Sequence, residues 1–276
     1  MDYQLLGPVE AFSAGRSVGL GGRRQQAALA ALLLNAGRLV SVERLTEVIW
    51  NGDAPETARA QVQTCVSTLR RKVHHPIVSK YVGYTIEVAP EQIDLGVYRS
   101  HIDAGRAQLA LGHTEQAVVS LRTALDLWRG AALTGVPGLS VEATRLEEER
   151  LTVTEEMLDA ELALGRHAAL VGTLASLVDR HPLRERFRAQ LMLALHTSGR
   201  KAEALQQYHE ASALMVHELG VRPGGQLQAL FQRLLTDESD HLPAPVGSSH
   251  HSGIAGAAAS VRELCHRCAP LPVLVP

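Results

Sequence analysis

The chain has 276 residues, 46% of them apolar and 4% aromatic, with a formal net charge of −2. That length predicts two domains, and an apolar share rich in Ala and Leu is enough for buried, mainly helical cores. No stretch approaches the ~18 apolar residues of a membrane span, the first residues lack the basic and apolar regions of a secretory signal, and three scattered cysteines make no disulfide framework, so a cytoplasmic protein without membrane contact is expected.

Residues 3–20 alternate short apolar runs with turns at Gly7-Pro8 and Ala14-Gly15-Arg16, which predicts a small antiparallel sheet. From Arg23 the period becomes helical, with Leu29, Leu32 and Leu33 on one face and Gly37 as the stop. Ser41 caps a second helix that turns Val42, Leu45, Val48 and Ile49 inward, and the loop Trp50 to Pro55 leads into a third.

The third helix, over 55–73, holds the densest chemistry. Asp53 and Glu56 have the spacing of a capping pair, and Pro55 suits a first turn. Val62, Val66, Leu69 and Val73 share the inward face, with Cys65 beside them as packing. The outer face carries Arg59, Gln61, Gln63, Thr64, Ser67, Thr68, Arg70 and Arg71, donors and acceptors with almost no acid among them. Directly after it, residues 77–88 read as a β-hairpin whose tip holds Lys80 and Gly83. A half-buried helix with a basic, amide-rich outer face, followed by a hairpin with a cationic tip, is what a winged-helix DNA reader needs. Phosphate contacts are expected from Arg70 and Arg71, and base-edge contacts from Gln61, Gln63, Thr64 or Thr68. The charge is divided to match: residues 1–93 carry 10 Lys/Arg against 8 Asp/Glu, residues 94–240 carry 15 against 20. A mildly basic head on an acidic body suits DNA at the head and protein at the body.

Beyond Ile93 strand signals vanish. Leu109-Ala110-Leu111-Gly112, Leu162-Ala163-Leu164-Gly165 and His196-Thr197-Ser198-Gly199 each end one helix and precede another; Gly165 and Gly199 lie one tetratricopeptide period of about 34 residues apart. A longer connection around Gly130 to Gly138 interrupts the register, and Ala204 and Ala211 suit close helix packing. Residues 239–276 are rich in Ala, Gly, Ser, Pro and His, which predicts a disordered tail. Cys265 and Cys268 in that tail form half a zinc site with no core to complete it, so no metal is expected. Phosphate-binding and nucleophile-elbow motifs are missing and the histidines are scattered, so neither an enzyme nor a cofactor is expected.

Gly21 to Leu34, Val40 to Leu45, Trp50-Asn51-Gly52, Thr57 to Arg59, Val66 to Arg71 and Gly83-Tyr84 resemble the OmpR-type winged helix of the Streptomyces antibiotic regulatory protein family. In the second half, Leu125 to Gly130, Arg145 to Leu151, Leu164 to His167, His181 to Arg186, Gln190 to Leu195, Ser198 to Arg200, Ala202 to Leu205 and Glu218 to Gly220 resemble that family's bacterial transcriptional activation domain. The resemblance covers about residues 1–238. It implies an α+β winged helix-turn-helix over 1–92 and an all-α tetratricopeptide-like domain over 93–238, of the small stand-alone type without a receiver domain. It further implies a nucleoid-associated activator of an antibiotic or secondary-metabolite gene cluster. Such an activator binds direct repeats in double-stranded promoter DNA, with self-association there as an option, and recruits RNA polymerase. Lys80 then corresponds to the wing's groove-entering cation, usually Arg, and Tyr84 joins the DNA-facing set. Trp50, Asn51 and Asp53, on the loop entering the third helix, are expected to meet the polymerase sigma subunit or alpha subunit tail. The competing expectation is a helical-repeat adaptor that binds protein and not DNA; steep loss of affinity with salt separates the two.

Overall fold

The computed structural model describes residues 1–236, so the tail from 239 and its Cys265–Cys268 pair lie outside the described residues. The described residues form two compact units, one of residues 1–111 and 119–154, the other of residues 112–118 and 155–236.

In the first unit, β1 (Asp2–Gln4), β2 (Glu10–Ser13) and β3 (Arg16–Ser17) make the expected antiparallel sheet, with Tyr3 opposite Ala11 and Phe12 opposite Ser17. Helix α1 (Arg23–Leu34) is buried continuously from Ala27 to Leu33. The single face drawn from three leucines was too narrow, because its alanines are small enough to be enclosed on the other sides as well. The short strand β4 (Val40–Ser41) leads into α2 (Val42–Trp50), where the Ser41 hydroxyl accepts the Arg44 amide at 3.1 Å, so the expected cap forms. Leu45 and Val48 are fully buried, while Val42 and Ile49 are half-buried. Helix α3 (Ala58–Arg70) and the strands β5 (Ile77–Lys80) and β6 (Gly83–Ile86) complete the winged helix, with β6 central in the order β4–β6–β5.

The first unit continues past the expected junction at 92/93. A 3-10 turn at Pro90–Gln92 leads into α4 (Asp94–Ala110), and the Asp94 carboxylate accepts the amides of Leu5 (2.7 Å) and Leu6 (3.0 Å). Arg129 bridges Asp94 and Glu10 at 3.1 and 3.0 Å, and its own amide donates to the Leu6 carbonyl. The amides of Leu133 and Thr134 then pair with the carbonyls of Leu5 and Gly7. Buried backbone after β1 therefore finds its partners some 90 to 130 residues away, as buried peptide groups must. Tyr98 and Trp128 meet edge-on at 5.6 Å in the same core, and Arg150 lies over the Trp128 ring.

Helices α5 (Thr114–Leu125) and α6 (Ser140–Ala163) follow, separated by the long connection that the sequence suggested. The second unit holds α7 (His167–Arg180), α8 (Glu185–Thr197), α9 (Lys201–Leu219) and α10 (Gly225–Thr236), with α8 packed against the other three. Gly112, Gly165 and Gly199 all adopt left-handed backbone, φ 77 to 78°, and end their helices as the repeated phrase predicted. Ala204 and Ala211 are fully buried. Gln190, itself buried, donates to the Glu155 carbonyl (2.9 Å) and to Asp159 (2.6 Å), and Arg184 pairs with the buried Glu155. The fold is a winged helix-turn-helix followed by helices in tetratricopeptide-like pairs.

Candidate nucleic-acid interface

Helix α3 buries Ala58, Val62, Cys65, Val66 and Leu69. The expected start at 55 moves to 58, because the Ala58 amide closes a turn onto the Pro55 carbonyl and the helix propagates from there. Asp53 and Glu56 stay exposed in that connection, and the N-cap residue Thr57 makes no side-chain cap, so the expected capping pair does not form. Burial pushes the Cys65 thiol up, in keeping with a packing role.

The outward residues divide into two groups. Arg59, Gln63, Ser67 and Arg71 are exposed at successive four-residue steps and form one stripe. The others are already engaged. Gln61 accepts from Arg24 of α1 (2.7 Å) and donates to the Thr57 hydroxyl (2.9 Å). Thr64 is exposed, but its hydroxyl donates to the Ala60 carbonyl, and Thr68 is half-buried and accepts from Arg71 at 3.4 Å. Arg70 turns to the wing: its Nε donates to the Ile77 carbonyl (2.8 Å), its Nη2 to the Ser79 hydroxyl (2.7 Å), and its guanidinium lies over the Tyr84 ring.

The wing also departs from expectation at its tip. Strands β5 and β6 pair from Ile77–Ile86 to Lys80–Gly83, so the turn residues are Tyr81 and Val82, and Lys80 and Gly83 are the last pair before it. Gly83 is required there by β4: a Cβ atom would sit 2.0 Å from the Val40 carbonyl oxygen. Tyr84, expected to face DNA, is 8% exposed and lies beneath the Arg70 guanidinium, buried on the same side of β6 as Ile86 two residues on. Tyr81 is 99% exposed. Sequence reasoning missed it, although pairing the alternations Ile77/Ser79 and Tyr84/Ile86 leaves only Tyr81 and Val82 for the turn. Arg24 and Lys72, the latter donating to the Gly19 carbonyl at 2.6 Å, were missed too.

On the approach loop, Asn51 caps α2 in left-handed backbone (φ 51°), and Asn51, Gly52 and Asp53 are exposed. Trp50 is half-buried beneath the Arg24 guanidinium, its indole nitrogen enclosed. The loop borders an open groove of about 460 Å³ lined by Val42, Glu43, Thr46, Glu47, Ala54 and Arg59, among others. Its own amide and the Ser41 hydroxyl hold the Glu43 carboxyl below its ordinary range, with a smaller contribution from Arg59.

Residues 16–86 match the family described as transcriptional regulatory protein, C terminal, and residues 93–235 match the bacterial transcriptional activator domain. The chain is 35% identical to the regulatory protein DnrI of Streptomyces peucetius, over 85% of this chain and 92% of that one. It belongs to the Streptomyces antibiotic regulatory protein family. The family's AfsR of Streptomyces coelicolor is 40% identical over 95% of this chain, which spans only 28% of AfsR's length. The structure of Mycobacterium tuberculosis EmbR in complex with a low-affinity phosphopeptide superposes with a TM-score of 0.83 and 30% identity, over 96% of this chain and 69% of that one. These relatives are named as regulatory proteins, and the family's two domains occur here in the same order. Among the described residues of this family member, no helix is long and apolar enough to cross a membrane.

Proposed function

We propose that the chain is a sequence-specific, DNA-binding transcriptional activator for an antibiotic or secondary-metabolite gene cluster. It binds direct repeats near promoters and recruits RNA polymerase. The observation that carries this reading is the exposed stripe Arg59, Gln63, Ser67 and Arg71 on a helix whose opposite face is fully buried. Two guanidinium groups at its ends suit phosphates, and the amide and hydroxyl between them suit base edges in the major groove. Arg70 positions the wing, and Lys80 adds a cation to it. Asn51 and Asp53, with the Glu43 and Glu47 rim of the adjoining groove, offer an acidic, partly apolar surface beside the DNA. A basic polymerase segment fits that surface.

The test is binding of the full chain to promoter fragments flanking its own gene, followed by footprinting and a salt series. Protection of repeated sites, with log Kd rising linearly in log salt, is the expected result. Equal, salt-insensitive affinity for all duplexes would instead favour the protein-binding adaptor.

A further inference from the structure

Gln61 and Arg70 lie nine residues apart on α3, two and a half helical turns, so their side chains leave opposite sides of the helix. Arg70 is drawn to the wing. Gln61 is drawn the other way, to Arg24 of α1, whose Nη1 donates to its Oε1 at 2.7 Å. A second bond, from Nε2 to the Thr57 hydroxyl at 2.9 Å, keeps the amide turned so that its oxygen faces Arg24. The Trp50 ring lies 5.2 Å beneath the guanidinium, and Lys72, just past α3, holds the Gly19 carbonyl ahead of α1. The place of Arg24 beside α3 is therefore fixed by direct contacts.

Folding gives little reason for a guanidinium there. Arg24 is exposed and makes no ion pair among the described residues. It stands in the first turn of α1, where the helix dipole disfavours a cation and no acidic residue offsets it. Only Nη1 is engaged; Nε and Nη2 have no hydrogen-bond partner among the described residues and remain as a planar set of donors. A helix about 10–12 Å across fills a major groove about 12 Å wide. With the stripe of α3 toward the bases, its two sides face the two phosphate walls. The wing stands on one side, and Arg24 is the cation held on the other.

We propose that Arg24 contacts a backbone phosphate on the groove wall opposite the wing, and that Gln61 is its positioning residue and reads no base. This rests on the DNA-binding reading above and adds a contact from outside the recognition helix. Gln61 and Trp50 order the long side chain before DNA arrives, so less conformational freedom is lost on binding. The charge itself releases a counterion whichever sequence is bound.

The experiment measures affinity of the full chain for its footprinted duplex and for random duplex over a KCl series, with phosphate-ethylation interference as a map of backbone contacts. Arg24→Ala is expected to lose about tenfold in affinity for both duplexes, to flatten the salt slope by about one unit, and to lose one cluster of interfering phosphates. Lys80→Ala, on the other side, should keep that cluster. Gln61→Ala should lose about threefold with the slope and the operator-to-random ratio unchanged. In an Arg24→Ala or Arg24→Lys background, Gln61→Ala should cost nothing further, because the pair acts as one unit. Arg24→Lys keeps the charge over Trp50, and its thermal midpoint should match the parent, so the test survives if Arg24→Ala folds poorly. If Arg24→Ala keeps the parent's slope and every interfering phosphate, or if Gln61→Ala relaxes the operator-to-random ratio, the assignment is overturned while the DNA-binding reading stands. If the parent itself binds no duplex in a salt-dependent way, both are overturned.

Discussion

Arg70, on the last turn of α3, donates to the Ser79 hydroxyl of the wing at 2.7 Å, so helix and hairpin move as one body. The same side chain holds the Ile77 carbonyl and covers the Tyr84 ring.

Removing that side chain should therefore damage structure before it damages charge. Arg70→Ala is expected to cost about 1–2 kcal/mol of stability and lower the thermal midpoint by several degrees. Arg70→Lys, which lacks the planar fork, should recover little of it. Thermal unfolding of both variants beside Arg71→Ala checks this, because Arg71 is exposed and its loss should leave the midpoint in place.

Arg71 and Gln63 should separate by what they read. Arg71→Ala is expected to weaken binding to all duplexes and reduce the salt slope by about one unit. Gln63→Ala should relax discrimination among bases and leave the slope alone. Parallel titrations with operator and random DNA distinguish them; identical effects on both duplexes would remove the proposed recognition helix.

Asp94 ties the N-terminal backbone to α4. Asp94→Leu strands two backbone amides and Arg129, and is expected to cost about 3 kcal/mol or more; a fragment ending at residue 93 should be destabilised for the same reason. Burial raises the Asp94 carboxyl above its ordinary value of 3.8, outweighing the Leu6 and Leu5 amides and Arg129, which lower it. A raised pKa in the folded state means the folded chain holds the proton more tightly than the unfolded one. The resulting stability is complete below 3.8 and is lost as pH rises through the raised value. Denaturant midpoints of the parent and Asp94→Asn across that mildly acidic window should show this slope in the parent and its absence in the variant.

The approach loop offers a division between binding and activation. Asn51→Arg, which introduces a charge, would replace a residue that tolerates left-handed backbone with one that does not, at a cost of about 1 kcal/mol. Asp53→Arg avoids that strain, since Asp53 is exposed and makes no cap for α3. It is expected to keep operator affinity and lose transcription with purified polymerase. Parallel decline of both activities would mean the loop serves only the fold or the DNA.

Much of this fold could be read from residue spacing. The Ser41 cap, the apolar face of α3 and the helix-ending glycines each follow from a few neighbouring residues. The wing tip and the commitments of Gln61, Arg70 and Tyr84 did not, since each depends on a partner brought close by the tertiary fold. Arg24 is 37 residues from Gln61, and no local pattern announces that pair. The packing of residues 93–111 and 119–154 into the first unit escaped for a related reason: hydrogen bonds from Leu133 to Leu5 carry no signature in periodicity.

Gly138 lies where a Cβ atom would fall 2.2 Å from the Val48 carbonyl oxygen of α2, and Arg44 of α2 pairs with Glu142. The backing of the helix-turn-helix is thus written in the neighbouring family domain, not in the stretch proposed to meet DNA. Grafting residues 1–92 onto a relative's body would present α2 to a foreign surface, and a single bulky residue at the position of Gly138 would push it away. Specificity exchange between members of this family should succeed when the outer stripe of α3 is transplanted alone, and fail when whole heads are swapped at the conventional seam.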